Sequence, residues 1–257
     1  MIDAHQHCWR LGEHDCTWPT GAEAAIHRNF EPGDWRAVAP AGVAGSVLVQ
    51  SQESLRDTLW LLELAEQYDF ILGVVGWADL TSPALPQSRW LKGLRPMVQG
   101  YRAGFLDNPA LDIGLAEMAE RALAFDALVK PLHLPELERM ALRHPTLSIV
   151  IDHAAKPDIA SGDLTGWQAG MMRLAALPNI ACKLSGLLTE AGGRDIVPVI
   201  DWLFGAFGAE RLIWGSDWPV VNLAGDYAGW LTLAKSAIPE AAHAAVFETN
   251  ARRIYRL

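Results

Sequence analysis

Cysteine is scarce in this 257-residue chain: Cys8, Cys16 and Cys182 form no CxxC pair and leave an odd one over. That usage argues against a disulfide framework and suits a reducing compartment. Basic residues are outnumbered, with 21 Lys and Arg against 30 Asp and Glu, for a net charge of −9. Such a surface repels phosphate backbones and anionic lipid, so neither nucleic acid nor membrane is an expected partner. It says nothing of the charge inside a pocket. No apolar run is long enough to cross a bilayer. The first apolar run begins almost at Met1, without room for a signal peptide, and a cytoplasmic location is the expectation. A GxSxG nucleophile elbow is missing, as are linkers, low-complexity tracts and shifts of composition.

What the chain does have is a regular alternation. Short apolar runs occur near Ile2–His7, Gly45–Gln50, Leu72–Trp77, Leu94–Pro96, Ala127–Val129, Leu147–Asp152, Ile180–Lys183 and Leu212–Gly215. The fourth is the weakest, since Pro96 cannot donate to a ladder and must lie at its end. Stretches of helical period separate them: Leu55–Gln67, Leu111–Ala124, Pro135–Arg143, Trp167–Leu177 and Pro198–Phe207, with a closing helix over Ala241–Tyr255. Pro135 and Pro198 suit first helical turns. Eight strands alternating with helices predict an α/β protein with one domain over 1–257, a single TIM-type (β/α)8 barrel.

In such a barrel, chemistry sits where the strands end. The first run closes on His5-Gln6-His7, and the period of two puts both imidazoles on one face. The sixth ends in Asp152-His153 and the eighth in Gly215-Ser216-Asp217. Strands one and eight are neighbours in a closed barrel, so His5, His7 and Asp217 can meet. Each residue alone has an ordinary alternative, a packed histidine or a turn aspartate.

Together with longer stretches, these residues carry a resemblance. IDAHQHCW at the start, VVGWADL at Val74–Leu80, KGLRPMVQ at Lys92–Gln99, DHAAKP at Asp152–Pro157, CKLSGL at Cys182–Leu187 and GSDWP at Gly215–Pro219 span nearly the whole chain. The sequence resembles the amidohydrolase superfamily, and within it the branch of L-fuconolactonase, L-rhamnonolactonase and 2-pyrone-4,6-dicarboxylate lactonase. The resemblance implies a hydrolase of carbohydrate metabolism that opens a small sugar-derived lactone. His5, His7 and His153 would surround the lactone carbonyl, with Asp217 as general base. An aspartate is ionised at neutral pH, ready to take a proton from water.

Gln50, Gln99 and Lys183 offer hydrogen-bonding groups near strand ends, Arg95 a cation and Trp77 an aromatic face, which makes them candidate substrate contacts. Few arginines lie there, which favours a neutral, hydroxylated lactone over a dicarboxylate. Arg95 cannot form the carboxylated lysine bridge of a binuclear centre, and His133 reads as the start of a helix. One divalent ion, zinc for example, could bind His5, His7 and Asp217, although the resemblance implies a branch that works without a required metal. The alternatives are a metal-dependent decarboxylase of an aromatic acid and a catalytically silent sugar-acid binding barrel. Monomer and homo-oligomer both stay open.

Overall fold

The computed structural model describes residues 1–82 and 85–257. Eight parallel strands follow one another around a single sheet in chain order. They are β1 (Ile2–Gln6), β2 (Gly45–Val49), β3 (Ile71–Gly76), β4 (Leu91–Leu94), β5 (Ala124–Ala127), β6 (Ile149–Ile151), β7 (Ile180–Leu184) and β8 (Leu212–Trp214). The seam between β1 and β8 is closed by two backbone bonds, Asp217 N–H to His5 O and His7 N–H to Trp218 O, both 2.8 Å. The barrel therefore closes through the residues expected to do its chemistry.

Nine α-helices occur among the described residues: α1 (Pro32–Val38), α2 (Leu55–Gln67), α3 (Asp112–Glu120), α4 (Leu134–Arg143), α5 (Thr165–Ala175), α6 (Leu187–Glu190), α7 (Val197–Phe207), α8 (Tyr227–Ala237) and α9 (Asn250–Tyr255). Helix α2 has the predicted bounds. Ser54 caps it by accepting from the N–H groups of Arg56 and Asp57, and Trp60, Leu61 and Leu64 are buried. Pro135 and Pro198 sit in the first turns of α4 and α7. Among the described residues no helix is long and apolar enough to cross a membrane.

Alternation divides the core in two. Val47, Val49, Val75, Ala124, Val150, Ala181 and Ile213 fill the barrel with Ala251, Ile254 and Tyr255 of α9 beneath them. Leu48, Val74, Phe125, Ile149, Ile151, Leu212 and Trp214 face outward against the helices. Asp126, Asp152 and Lys183 stand two residues beyond Ala124, Val150 and Ala181, so they form the next interior layer, directly under the mouth.

Several boundaries differ from those expected. Strand β4 begins three residues before the predicted Leu94, because Lys92 and Gly93 interrupt the apolar run. Gly93 is needed there, since a Cβ would lie 2.6 Å from Ala124 O on β5. Strand β5 starts at Ala124 rather than Ala127, and buried Asp126 disguised it. Helix α8 was not foreseen. Gly229 and Thr232 give it low propensity, but the Asp226 cap and burial of Tyr227, Trp230, Leu231 and Ala234 hold it. The predicted closing helix is broken into a 3-10 turn at Glu240–Ala242, a π-helical turn at Ala245–Thr249 and α9.

Candidate active site

His5, His7, His153 and Asp217 converge above this polar layer. Asp217 Oδ1 lies 3.2 Å from His7 Nε2, 3.7 Å from His5 Nε2 and 3.9 Å from His153 Nε2. The two rings of the first strand meet edge to face, with their Nε2 atoms 3.2 Å apart. His7 Nδ1 is 2.8 Å from Val49 O, an acceptor only, so Nδ1 carries a proton and Nε2 faces the site. His153 Nδ1 meets Ser185 Oγ at 2.9 Å.

The backbone makes unusual accommodations to bring these groups together. His153 and Asp217 have φ of 50° and 57°, and Ala154, Ala155 and Lys156 continue the left-handed turn begun by His153. Such conformations cost of order 1–3 kcal/mol each and cluster at functional sites. Two motif glycines clear the space. A Cβ at Gly186 would lie 2.6 Å from His153 Nδ1, and one at Gly215 would lie 2.6 Å from His5 Cβ. Asp3, wholly buried, accepts from Ser216 N–H, Ser216 Oγ, Trp35 Nε1 and Tyr227 OH, anchoring the loop that carries Asp217.

Electrostatics then set the charge states. Burial pushes Asp217 upward, but the facing imidazoles of His153, His7 and His5 outweigh it, leaving the carboxyl well below its usual range. Burial, above all, holds His153 down to about 4. His5 is also held well below the ordinary imidazole value, first by burial and then by Lys183. At neutral pH the site thus has an ionised carboxylate beside at least two neutral imidazoles.

A cavity of about 210 Å³ opens over these groups, lined by His7, His153 and Asp217 together with Arg95, Gln99, Lys156, Trp18 and others. Arg95 and Gln99, expected as substrate contacts, are on its wall. Three other expected contacts are not among the residues that line it. Lys183 is fully buried behind His5, held by Asp126 Oδ2 at 2.5 Å and Asp152 Oδ1 at 2.9 Å. Gln50 is also buried, and its Nε2 donates to Arg95 O at 2.6 Å while Arg95 Nη2 donates back to Gln50 O. Trp77 follows the end of β3, where the chain has left the barrel. It lines a separate side cavity with Glu53, Tyr101 and Phe105.

His133 is turned away from the site. Its Nδ1 accepts from Lys130 N–H and its Nε2 is 3.1 Å from Tyr101 O, so both ring nitrogens are committed to the loop. No second metal ligand comes from that strand end. One ligand atom each from His5, His153 and Asp217 lies within 4.8 Å of the others, close enough to surround a single divalent ion. His153 takes the place in this trio that the sequence suggested for His7, although His7 Nε2 adjoins it. Asp126, Asp152, Asp3 and Trp18 were missed as parts of the site. Asp126 and Asp152 carry the signal of a carboxylate inside an apolar run; Trp18 lies in an irregular loop and carries none.

A sequence model of the amidohydrolase family matches residues 2–257. The chain belongs to that family. This amidohydrolase is 44% identical over 280 residues to L-fucono-1,5-lactonase of Burkholderia ambifaria, covering all of this chain and 95% of the relative. It is 35% identical to L-fucono-1,5-lactonase of Burkholderia multivorans, covering 100% of this chain and 96% of the relative. Among solved structures, an amidohydrolase from Burkholderia multivorans superimposes with a TM-score of 0.93 at 34% identity, covering all of this chain and 99% of that one. One crystal form of that protein holds HEPES and another holds zinc.

Proposed function

We propose that this amidohydrolase opens a neutral, hydroxylated sugar lactone, an aldono-1,5-lactone of the L-fucono type being the leading candidate. The observation that carries the reading is an ionised Asp217 on a cavity wall beside His7 and His153, with His5 buried directly behind them. The cavity, about 210 Å³, has room for a small ligand beside these groups. The names of the two lactonase relatives support the same class.

The chemistry follows from the charges. Asp217 takes a proton from water, which attacks the ester carbonyl. Negative charge grows on the carbonyl oxygen, where imidazole N–H and the Arg95 guanidinium are the available donors. The ring oxygen then leaves and is protonated from the base or from solvent. The three cysteines are poor candidates for a covalent nucleophile. Burial raises the thiols of Cys8 and Cys182 well above the ordinary value, and that of Cys16 to about 11.

A divalent ion held by His5, His153 and Asp217 would supply a Lewis acid for the same carbonyl. We propose that turnover does not require one. Arg95, already engaged by Asp152 and Gln50 O, leaves little free positive charge for a dicarboxylate. The commitment of His133 to its loop counts against the decarboxylase alternative. A pH-indicator screen over aldono-1,4- and 1,5-lactones tests the proposal, because each opening releases a proton. No turnover on any neutral sugar lactone would overturn it.

A further inference from the structure

Beneath the catalytic rings, a chain of buried polar groups runs down the barrel axis. Tyr255 of α9 donates to Asp126 at 2.9–3.0 Å, Asp126 accepts from Lys183, and Lys183 Nζ lies 3.1 Å from His5 Nδ1. None of Asp126, Asp152, Lys183 or His5 has any exposed surface. Burying a lysine and two carboxylates is costly, and a packed apolar layer would stabilise such a barrel at least as well. The layer therefore asks for a function.

We propose that Lys183 is a positioning residue that holds His5 in the tautomer with its proton on Nε2, so that His5 turns a neutral N–H toward His7 and Asp217 on the cavity wall. The argument is one of proton count. An ammonium has three protons and no acceptor. Lys183 donates to Asp126 Oδ2 at 2.5 Å and faces His5 Nδ1 at 3.1 Å, and it ion-pairs with Asp152 Oδ1 at 2.9 Å. If His5 Nδ1 bore a proton, that proton would face the ammonium at contact distance, and its nearest carboxylate oxygen is 3.6 Å away. With Nδ1 accepting, the ring proton lies on Nε2, aimed at His7 Nε2 and Asp217 Oδ1.

Arg95 Nη1, 3.3 Å from His5 Nε2, is the competing contact. It could donate to Nε2 only if the ring proton lay on Nδ1. Arg95 Nη1 also donates to Asp152 Oδ2 at the same distance, and the His5 Nε2 proton has His7 Nε2 at 3.2 Å and Asp217 Oδ1 at 3.7 Å to face, whereas Nδ1 has only the 3.6 Å carboxylate oxygen beyond the ammonium. His5 itself lies behind the cavity wall, so its Nε2–H acts on a substrate through His7 and Asp217, which line the cavity. His7 differs, because its Nδ1 proton is committed to Val49 O. The same arrangement opposes metal ligation by His5. A ligating imidazole normally gives its other N–H to a carboxylate or carbonyl, and here that position faces a cation.

The catalytic use of this donor rests on the lactonase reading; the tautomer does not. The decisive measurement is therefore ¹⁵N NMR of the resting wild-type protein with labelled histidine, the His5 signals being assigned through His5→Gln. A pyrrole-type Nε2 and a pyridine-type Nδ1 are expected, and the reverse would overturn the proposal. Lys183→Met alone strands two buried carboxylates and risks misfolding. The paired change Lys183→Met with Asp126→Asn keeps the net charge of the layer. In the folded pair, His5 should lose its single tautomer, and kcat on the lactone should fall on the order of 10–10²-fold, the usual worth of one polar contact to a charged group, with KM little changed. A folded pair that keeps the Nε2–H form and wild-type kcat would overturn the role of Lys183. An Nε2–H His5 in wild-type protein that opens no lactone would uphold the tautomer and overturn the proposed reaction instead.

Discussion

Asp217→Asn is the substitution that bears most directly on the mechanism. The amide keeps the shape, and the left-handed φ of 57° is one that asparagine tolerates. The backbone bond from residue 217 N–H to His5 O is untouched. What disappears is the ability to take a proton from water. If Asp217 is the base, kcat should fall on the order of 10²–10⁴-fold, about 3–5 kcal/mol of barrel-mouth catalysis. If the carboxylate is merely a polar contact for the imidazoles around it, the nearest at 3.2 Å, the loss is smaller. A charge-assisted bond is worth about 1.5–3 kcal/mol, so at most about 10²-fold. Size alone leaves an overlap, which the pH profile resolves. Wild-type kcat should fall as pH drops through about 4, where His153 takes a proton and the imidazolium pairs with the carboxylate. Without that carboxylate the His153 value moves lower still, because Asp217 is the largest influence raising it. The residual Asn activity should therefore lose its acid limb near pH 4. Stopped-flow indicator assays, with a thermal melt to verify folding, measure both effects. A folded Asn variant within tenfold of wild-type kcat would refute the assignment and move the base to an imidazole.

Gly186→Ala should cut kcat by a factor on the order of 10² at near-normal expression, because the new methyl meets the His153 ring at 2.6 Å in a left-handed backbone; an unchanged rate would show that the ring need not sit where it does. Asp57→Asn should stabilise the fold at alkaline pH. Burial raises this carboxyl to about 7 from 3.8, so its ionised form burdens the folded state fully above pH 7 and not at all below about 4. The gain is bounded by about 4 kcal/mol at 1.36 kcal/mol per unit, and urea melts giving equal gains at both ends of that window would contradict the sign. Exhaustive chelation should leave most lactonase activity, and complete loss restored by zinc would make the metal a working part. Neutral aldonolactones should be better substrates than dicarboxylate lactones, measured as kcat/KM, and the opposite order would undo the charge argument.

The strand order, the helix at Leu55–Gln67 and the convergence of His5, His7, His153 and Asp217 were all legible in the sequence. They rest on local signals, namely apolar period, a serine cap and polar residues that terminate apolar runs. Local pattern failed where a strand carries its own chemistry. Asp126 inside β5 and Lys92-Gly93 inside β4 looked like interruptions, and only the ladder shows them as strand. It failed again for Lys183, Gln50 and Trp77. Sequence position places a residue near a strand end, but a shift of one or two residues decides whether it faces the cavity, the interior below it or the outside.

Residue type and order alone thus determined the barrel, the excess of acidic residues and the candidate site residues, because hydrophobic period and covalent order are properties of the chain itself. Tertiary structure decided the charge states. Asp217 lies below its usual range because imidazoles from other strand ends outweigh its burial, and His153 lies near 4 because its burial outweighs the carboxylates beside it. It also decided that Lys183 meets His5, across a separation of 178 residues. Electrostatic interaction depends on distance in space, and sequence spacing contains no measure of that distance until the barrel closes.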